Sequence, residues 1–310
     1  MPPLTLSTFL GPCRGWLLVL SLSFLTPNAE AKLNVVVTLP DIAAVAQQVG
    51  GDLVQLTTLA RPNEDPHFID PKPSFIRILN KAELLIHGGA ELENSWLPSL
   101  VQTTRNPKIL SGGSGLVDAS SGLQLLQKNT GNTDRASGDV HLSGNPHYLL
   151  SPDFVATVAT NITRAFASAD RVHESNYATN LAKFITRLQT KQQSWRATLQ
   201  SGTGSKVITY HHSFDYLLST FNYLLVDTIE PKPGIEPSPT HITTLIRKHR
   251  ETGVKYILIE PNRGRKTPQR LAEILKAEVI VLPLMPGAVP NTDDYFLWMD
   301  YLVTRIAPAP

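Results

Sequence analysis

Three of the nine histidines occur where distant parts of the chain could assemble a metal site. His67 and His147 each follow a proline, in Asp-Pro-His-Phe and Asn-Pro-His-Tyr, and His211 ends the run Val-Ile-Thr-Tyr. Imidazole nitrogen is a preferred ligand of borderline divalent ions, zinc above all. No phosphate-binding loop, nucleophile elbow or CxxC motif indicates a competing chemistry. The pattern therefore indicates a shared three-histidine metal site.

The remaining histidines are interpreted as ordinary surface or core residues. One of them, His141, lies in a polar stretch and is a candidate accessory ligand. Another, His212, directly follows His211, and successive residues of a strand point to opposite faces, so only one of the two can face a shared site. The others in this group are His87, His173, His241 and His249.

Carboxylates offer an alternative chemistry, the acid/base pair of a hydrolase. No spacing singles out two of the candidates, which are Glu64, Asp65, Asp70, Glu260, Asp293 and Asp294. Glu260 is the most notable of these candidates because it follows the apolar run Tyr-Ile-Leu-Ile. A structural salt bridge to Arg263 or Arg265 would also account for a glutamate at this position. Three histidines with an open fourth position and Glu260 as general base would make a secreted zinc hydrolase.

These residues must be positioned by two halves that show the same alternation of short apolar runs and amphipathic segments. Strands alternating with helices predict parallel sheets with helices on their faces, an α/β fold. In such sheets, ligands bind beyond the carboxyl ends of the strands, where the three histidines are expected. The predicted strands are 33–39, 54–60, 83–89, 206–210, 223–230, 256–260 and 278–284, and the predicted helices are 41–49, 72–81, 91–103, 151–168, 239–252, 267–276 and 292–306.

A long helix is predicted between the two halves. Residues 173–200 contain neither glycine nor proline, and their apolar residues recur at spacings of three and four. A helix of this length spans about 42 Å at 1.5 Å per residue. We expect it to act as a rigid bridge between two lobes.

Composition limits the functional classes. The 310 residues suffice for two ordinary domains, and a net charge of +2 gives no indication of a nucleic-acid partner. Arg14, an apolar run of about ten residues after it and the small-residue site Ala29-Glu30-Ala31 predict a secretory signal peptide. Cys13 is the only cysteine and lies within that segment, so a thiolate metal site is not expected in the mature chain.

Several motifs together resemble the metal-binding subunit of ABC uptake transporters, in the zinc/manganese (cluster A-I, zinc-uptake-like) family. The resemblance covers nearly all of the chain after the predicted signal peptide. The motifs are Leu39-Pro40-Asp41, Asp65-Pro66-His67-Phe68, the segment 89–96, Asn145-Pro146-His147-Tyr148, Tyr210-His211-His212-Ser213-Phe214 and Ile259-Glu260-Pro261.

The resemblance implies two α/β lobes bridged by one long helix, with the metal site in the cleft between the lobes. We therefore expect a signal peptide at 1–31, an N-terminal lobe at 32–170, a linker helix at 171–201 and a C-terminal lobe at 202–310. The implied function is that of a monomeric, non-enzymatic periplasmic protein, which captures Zn²⁺ through His67, His147 and His211 and delivers it to an ABC permease. The hydrolase described above and a metal-binding surface adhesin stay open as alternatives.

The fourth ligand is where the sequence departs from the family pattern. The resemblance implies an Asp within a late Asp-Pro-Leu-Gly motif, whereas the corresponding stretch here is Val-Leu-Pro-Leu-Met-Pro-Gly at 281–287. Glu260, Asp294, water or chloride are the candidates for the fourth position. Three imidazoles favour zinc over manganese, which prefers oxygen-rich sites, while copper(II) and nickel stay open.

Overall fold

The structure, a computed structural model, describes residues 31–128 and 141–308. The predicted signal peptide, apart from Ala31, lies outside these ranges, as do residues 129–140, the part of the polar stretch that precedes His141. None of the helices in the described ranges is long and apolar enough to span a membrane.

The first half of the chain forms a four-stranded, all-parallel sheet with the strand order β2-β1-β3-β4. Its central strand β1 is buried on both faces, as the near-continuous run Leu-Asn-Val-Val-Val requires. The elements are β1 Leu33–Val37, α1 Pro40–Gly50, β2 Val54–Thr58, α2 Pro73–Leu79, β3 Leu84–His87, α3 Leu97–Thr103, β4 Leu116–Asp118 and α4 Pro152–Ala169.

The second half repeats this arrangement in a parallel sheet with the order β6-β5-β7-β8. The predicted fold class is thereby confirmed, since each half is a parallel sheet flanked by helices. The elements are β5 Lys206–Thr209, α6 Asp215–Thr220, β6 Leu224–Thr228, α7 Pro239–His249, β7 Val254–Ile259, α8 Lys266–Leu275, β8 Glu278–Val281 and α9 Tyr295–Ile306.

The long bridging helix is α5, which runs from Glu174 to Leu199. It packs on α1 and α4 of the first half and on α9 of the second. Trp195 is buried and donates its indole N–H to Asp300 Oδ1 of α9 at 2.7 Å, while Lys191 pairs with Asp300 Oδ2 at 2.6 Å. The helix is therefore fixed to both halves, as predicted for a rigid bridge.

The main hydrophobic core is shared by the two halves. It contains residues of β1 and β3 together with residues of β5, β7, β8 and α9, and the buried side of α5 is part of it. A smaller cluster lies around Ile208, Ile257 and Leu271 in the second half. The packing therefore joins the sheets instead of separating them.

One short strand and one short helix were not predicted from the sequence. The strand β4 has only three residues, and α6 has only six, so neither shows a clear period. The helix predicted at 91–103 begins only at Leu97. Ala90 and Glu91 adopt positive φ angles of 50° and 66°, which a helix cannot accommodate, and the chain turns there before entering α3.

Candidate metal centre

The structure brings His67, His147 and His211 together. One ring nitrogen from each lies within 4.8 Å of the others, and all three residues are buried. The ring centres are 5.2 Å apart for His67 and His147 and 5.6 Å apart for the other two pairs. Among the described residues, no other group of three or more His, Cys, Asp or Glu residues meets this distance limit.

His67 lies in the loop that follows β2, and its backbone is fixed on both sides. Asp65 accepts a hydrogen bond from the His67 backbone N–H at 3.1 Å, which closes a tight turn. Trp96 donates its indole N–H to the carbonyl of Pro66 at 3.1 Å, and Ser95 donates to the carbonyl of His67. The same Asp65 oxygen lies 2.9 Å from His67 Nδ1, so that Nε2 is directed toward the cluster.

His147 is positioned by the turn that precedes α4. Asn145 accepts the His147 backbone N–H at 2.9 Å, and its side-chain amide donates to the carbonyl of His212 at 2.7 Å, in the second half. The first bond fixes the turn, and the second joins the two halves beside the site. Burial, followed by the charges of His67 and His211, holds the pKa of His147 well below its usual value. His147 is therefore present as the neutral imidazole that a metal requires.

His211 follows β5, and its orientation is set by Glu230 at the end of β6. Glu230 Oε2 lies 2.8 Å from His211 Nδ1, and both side chains are buried. The same carboxylate oxygen accepts the backbone N–H of Gly234 at 3.0 Å. Ligand histidines commonly use the other ring nitrogen in this way, which fixes the tautomer and the ring direction.

The two carboxylates that orient these histidines are ionised. Burial acts to raise the pKa of Asp65, but the hydrogen bond and charge of His67, with Arg263, outweigh it and lower the pKa to about 2. Burial likewise acts to raise the pKa of Glu230, and the bond to His211 outweighs it and lowers the pKa. Two negative charges therefore lie beside the cluster, and they favour a cation there.

Glu260 lies outside the group of three but close to it. Its Oε1 accepts a hydrogen bond from Ser213 at 2.5 Å, and its Oε2 is 3.8 Å from Arg263 Nε. The residue is buried, which raises its pKa, although the charge of His211 acts in the opposite direction. Its role as a metal ligand stays a prediction.

The stretch that lacks the expected Asp packs its apolar side chains inward. Leu282 and Met285 are buried, and Pro283 accepts the indole N–H of Trp298 at 3.1 Å. Leu284 lines a small cavity together with Glu260. Asp294, another candidate for the fourth position, caps α9 by accepting the backbone N–H of Phe296 at 2.7 Å. Its carboxylate is thus occupied at the start of that helix.

The other histidines do not belong to the group of three. His212 Nδ1 pairs with Asp215 at 2.8 Å, and His249 is buried against Asp227 at the same distance. His141 lies beside the group of three, with its ring centre 5.3 Å from that of His67. An accessory role for His141 stays a prediction.

The sequence did not identify the two orienting carboxylates. The sequence indicates Asp65 only as a candidate for an acid/base pair, and its position two residues before His67 is the available signal. Glu230 offered no local signal, because its partner His211 is 19 positions away and meets it only through the pairing of β5 with β6.

Comparison with known proteins gives a family match over most of the chain. Residues 35–309 match the model of the family described as "Zinc-uptake complex component A periplasmic". A crystal structure of ZnuA is 26% identical and superposes with a TM-score of 0.74, over 89% of this chain and 98% of that one.

Curated relatives are similar at lower identity. The metal ABC transporter substrate-binding lipoprotein ScbA of Streptococcus cristatus is 24% identical over 91% of this chain and 90% of its own length. The zinc-binding protein AdcA of Streptococcus pyogenes is 25% identical over 87% of this chain, which spans only 55% of the AdcA length. The family match over residues 35–309 shows that the chain belongs to the zinc-uptake component A family.

Proposed function

We propose that this protein captures a divalent metal ion, Zn²⁺ by preference, and delivers it to an ABC permease. The observation that carries the proposal is the convergence of His67, His147 and His211, with two of the rings already oriented by ionised carboxylates. The ion is cargo in this scheme. The three imidazoles hold it at the cleft until the permease receives it.

The chemistry of the donors supports zinc. A buried set of three neutral nitrogen ligands suits a borderline ion, whereas manganese prefers more numerous oxygen ligands. The relative AdcA is named as a zinc-binding protein, while SBP FpvC of Pseudomonas aeruginosa, which shares the fold at 20% identity, was solved with Mn²⁺. We therefore assign the preference from the donor set of this chain.

Membership of a transport family supports a site of action outside the cytoplasm. We propose that residues 1–31 direct secretion, that the mature protein is a periplasmic monomer, and that its partner is the permease of the transporter. We further propose the division into a lobe at 32–170, a linker helix at 171–201 and a lobe at 202–310. The family is not an enzyme family, and no comparison supports the hydrolase considered above.

Titration with zinc tests the proposal. Because the described residues offer one group of three histidines, metal-free protein is expected to saturate near one tightly bound Zn²⁺ per chain. Isothermal titration in a buffer without metal-binding components measures this value. Absence of tight binding would overturn the proposed function. Two equally tight sites would overturn the single-site scheme and make His141 and His212 candidate ligands of a second ion.

The substitution Glu260→Gln decides the fourth ligand. We expect a loss of affinity below about tenfold, which is smaller than the roughly 10–100-fold typical of residues that orient ligands. The reason is that Glu260 lies outside the group of three and is already engaged by Ser213. Zinc affinity is measured by competition with a chelating dye. A loss as large as that of His211→Ala would instead make Glu260 a ligand and exclude water from the fourth position.

A further inference from the structure

Arg263 contacts three carboxylates beside the histidine cluster. Its guanidinium nitrogens lie 3.9 Å from Asp65 Oδ2, 3.2 Å from Glu230 Oε1 and 3.8 Å from Glu260 Oε2. The guanidinium carbon also lies 5.3 Å from the ring centre of Tyr210. Asp65 and Glu230 are also paired with His67 and His211, so Arg263 shares these carboxylates with the histidine cluster.

Two of the three carboxylates are those that orient candidate ligands from opposite halves of the molecule. Asp65 holds His67, in the loop after β2 of the first sheet, and Glu230 holds His211, at the end of β5 in the second. Arg263 itself follows β7 of the second sheet. One guanidinium thus contacts both histidine–carboxylate pairs and crosses from one half to the other.

We infer that Arg263 is a positioning residue that joins these two pairs into one unit and thereby sets how tightly the two halves hold the ion. The inference rests on the proposed function and extends it to a residue outside the ligand set. A guanidinium suits this role because its five N–H donors are arranged in a rigid plane and can face several carboxylates at once. A lysine ammonium carries the same charge but is compact and cannot span the three.

Formal charge supports the same role. The ionised carboxylates of Asp65 and Glu230 and one guanidinium give −2 + 1 = −1, and neutral imidazoles add nothing. The group therefore keeps a negative charge that a bound cation offsets. Without Arg263, the carboxylates would lose their common partner and repel one another. Asp65 and Glu230 would then move apart, and the rings of His67 and His211 would no longer be held in a fixed orientation.

Three variants separate position from charge. Arg263→Gln removes both the charge and the contacts, Arg263→Lys keeps the charge, and Arg265→Gln is the matched control two residues away. Each is prepared metal-free, and its zinc affinity is measured by dye competition. The visible spectrum of the Co²⁺ complex reports the ligand geometry, and thermal unfolding of the metal-free forms reports the fold.

We expect Arg263→Gln and Arg263→Lys to weaken zinc binding by about 10–100-fold, the range typical of residues that orient ligands. The cobalt spectrum should change in both, while Arg265→Gln matches the parent. Parent-like or tighter binding by Arg263→Gln, or full recovery by Arg263→Lys, would overturn the inference. So would a lower unfolding temperature with unchanged affinity and spectrum, since that result indicates a purely structural role.

The outcome for the Arg263 variants can be distinguished from a failure of the proposed function. If the parent protein binds zinc and His67→Ala does not, a parent-like Arg263→Gln refutes the role of Arg263 alone. If the parent does not bind zinc, the transport proposal itself fails.

Discussion

Replacing His67 or His147 with alanine is expected to weaken zinc binding by about a hundredfold or more. Each substitution removes one of three converging nitrogen ligands, and even the loss of a residue that merely orients a ligand costs about 10–100-fold. Asp294 caps α9 and the stretch at 281–287 contains no carboxylate, so we do not expect either to replace the lost nitrogen. Competition with a chelating dye measures the loss.

His212→Ala is the matched control for these variants. It removes an imidazole that directly follows His211, but one that pairs with Asp215 outside the group of three. We expect its zinc affinity to stay near that of the parent. The three-histidine site would be refuted if His67→Ala and His147→Ala both bound zinc like the parent protein.

Acid is expected to release the ion steeply. Metal binding requires neutral imidazoles, so protons compete with zinc as the pH falls. A single imidazole at the reference pKa of about 6.5 would weaken binding about 25-fold between pH 7 and pH 5. Burial keeps the pKa of His147 well below that reference, so protonation of His147 competes with zinc only at lower pH. We expect more than one proton to be taken up per ion released, and therefore a loss above about 25-fold.

Affinity at pH 7, 6 and 5, together with proton uptake in weakly buffered solution, checks this expectation. Circular dichroism at each pH separates release of the ion from loss of the fold. An affinity that does not change between pH 7 and pH 5 is incompatible with a site made of three imidazoles.

The fold could be predicted because its strands and helices are long enough to show a period. The predicted strands and helices all correspond to elements of the structure, and α5, which has 26 residues, is predicted by the run at 173–200 without glycine or proline. The prediction failed where an element is short, as in β4 and α6. It also failed where two residues with positive φ delay the start of α3, because local propensity does not report those dihedral angles.

The site was predictable only in part. The positions of His67, His147 and His211 after strands or prolines indicated that they could meet, and the structure brings them together. Their orienting partners were not predictable to the same degree, because Glu230 reaches His211 through strand pairing. The sequence indicates Arg263 only as a partner of Glu260, whereas its contact with Asp65 depends on how the two halves pack.

The core shared by the two sheets has a consequence for folding. Since residues of both halves lie in one cluster, unfolding of either half would expose apolar surface of the other. Denaturation of this shared core should therefore be cooperative, and an ion bound at the three histidines, as proposed, would also protect helices far from them. For a ligand that binds only the native state, a concentration of 1,000 times its Kd adds about 4 kcal/mol to the free energy of unfolding. Under the proposed function, bound metal would therefore slow proteolysis of the folded chain, and delivery of the ion would end that protection.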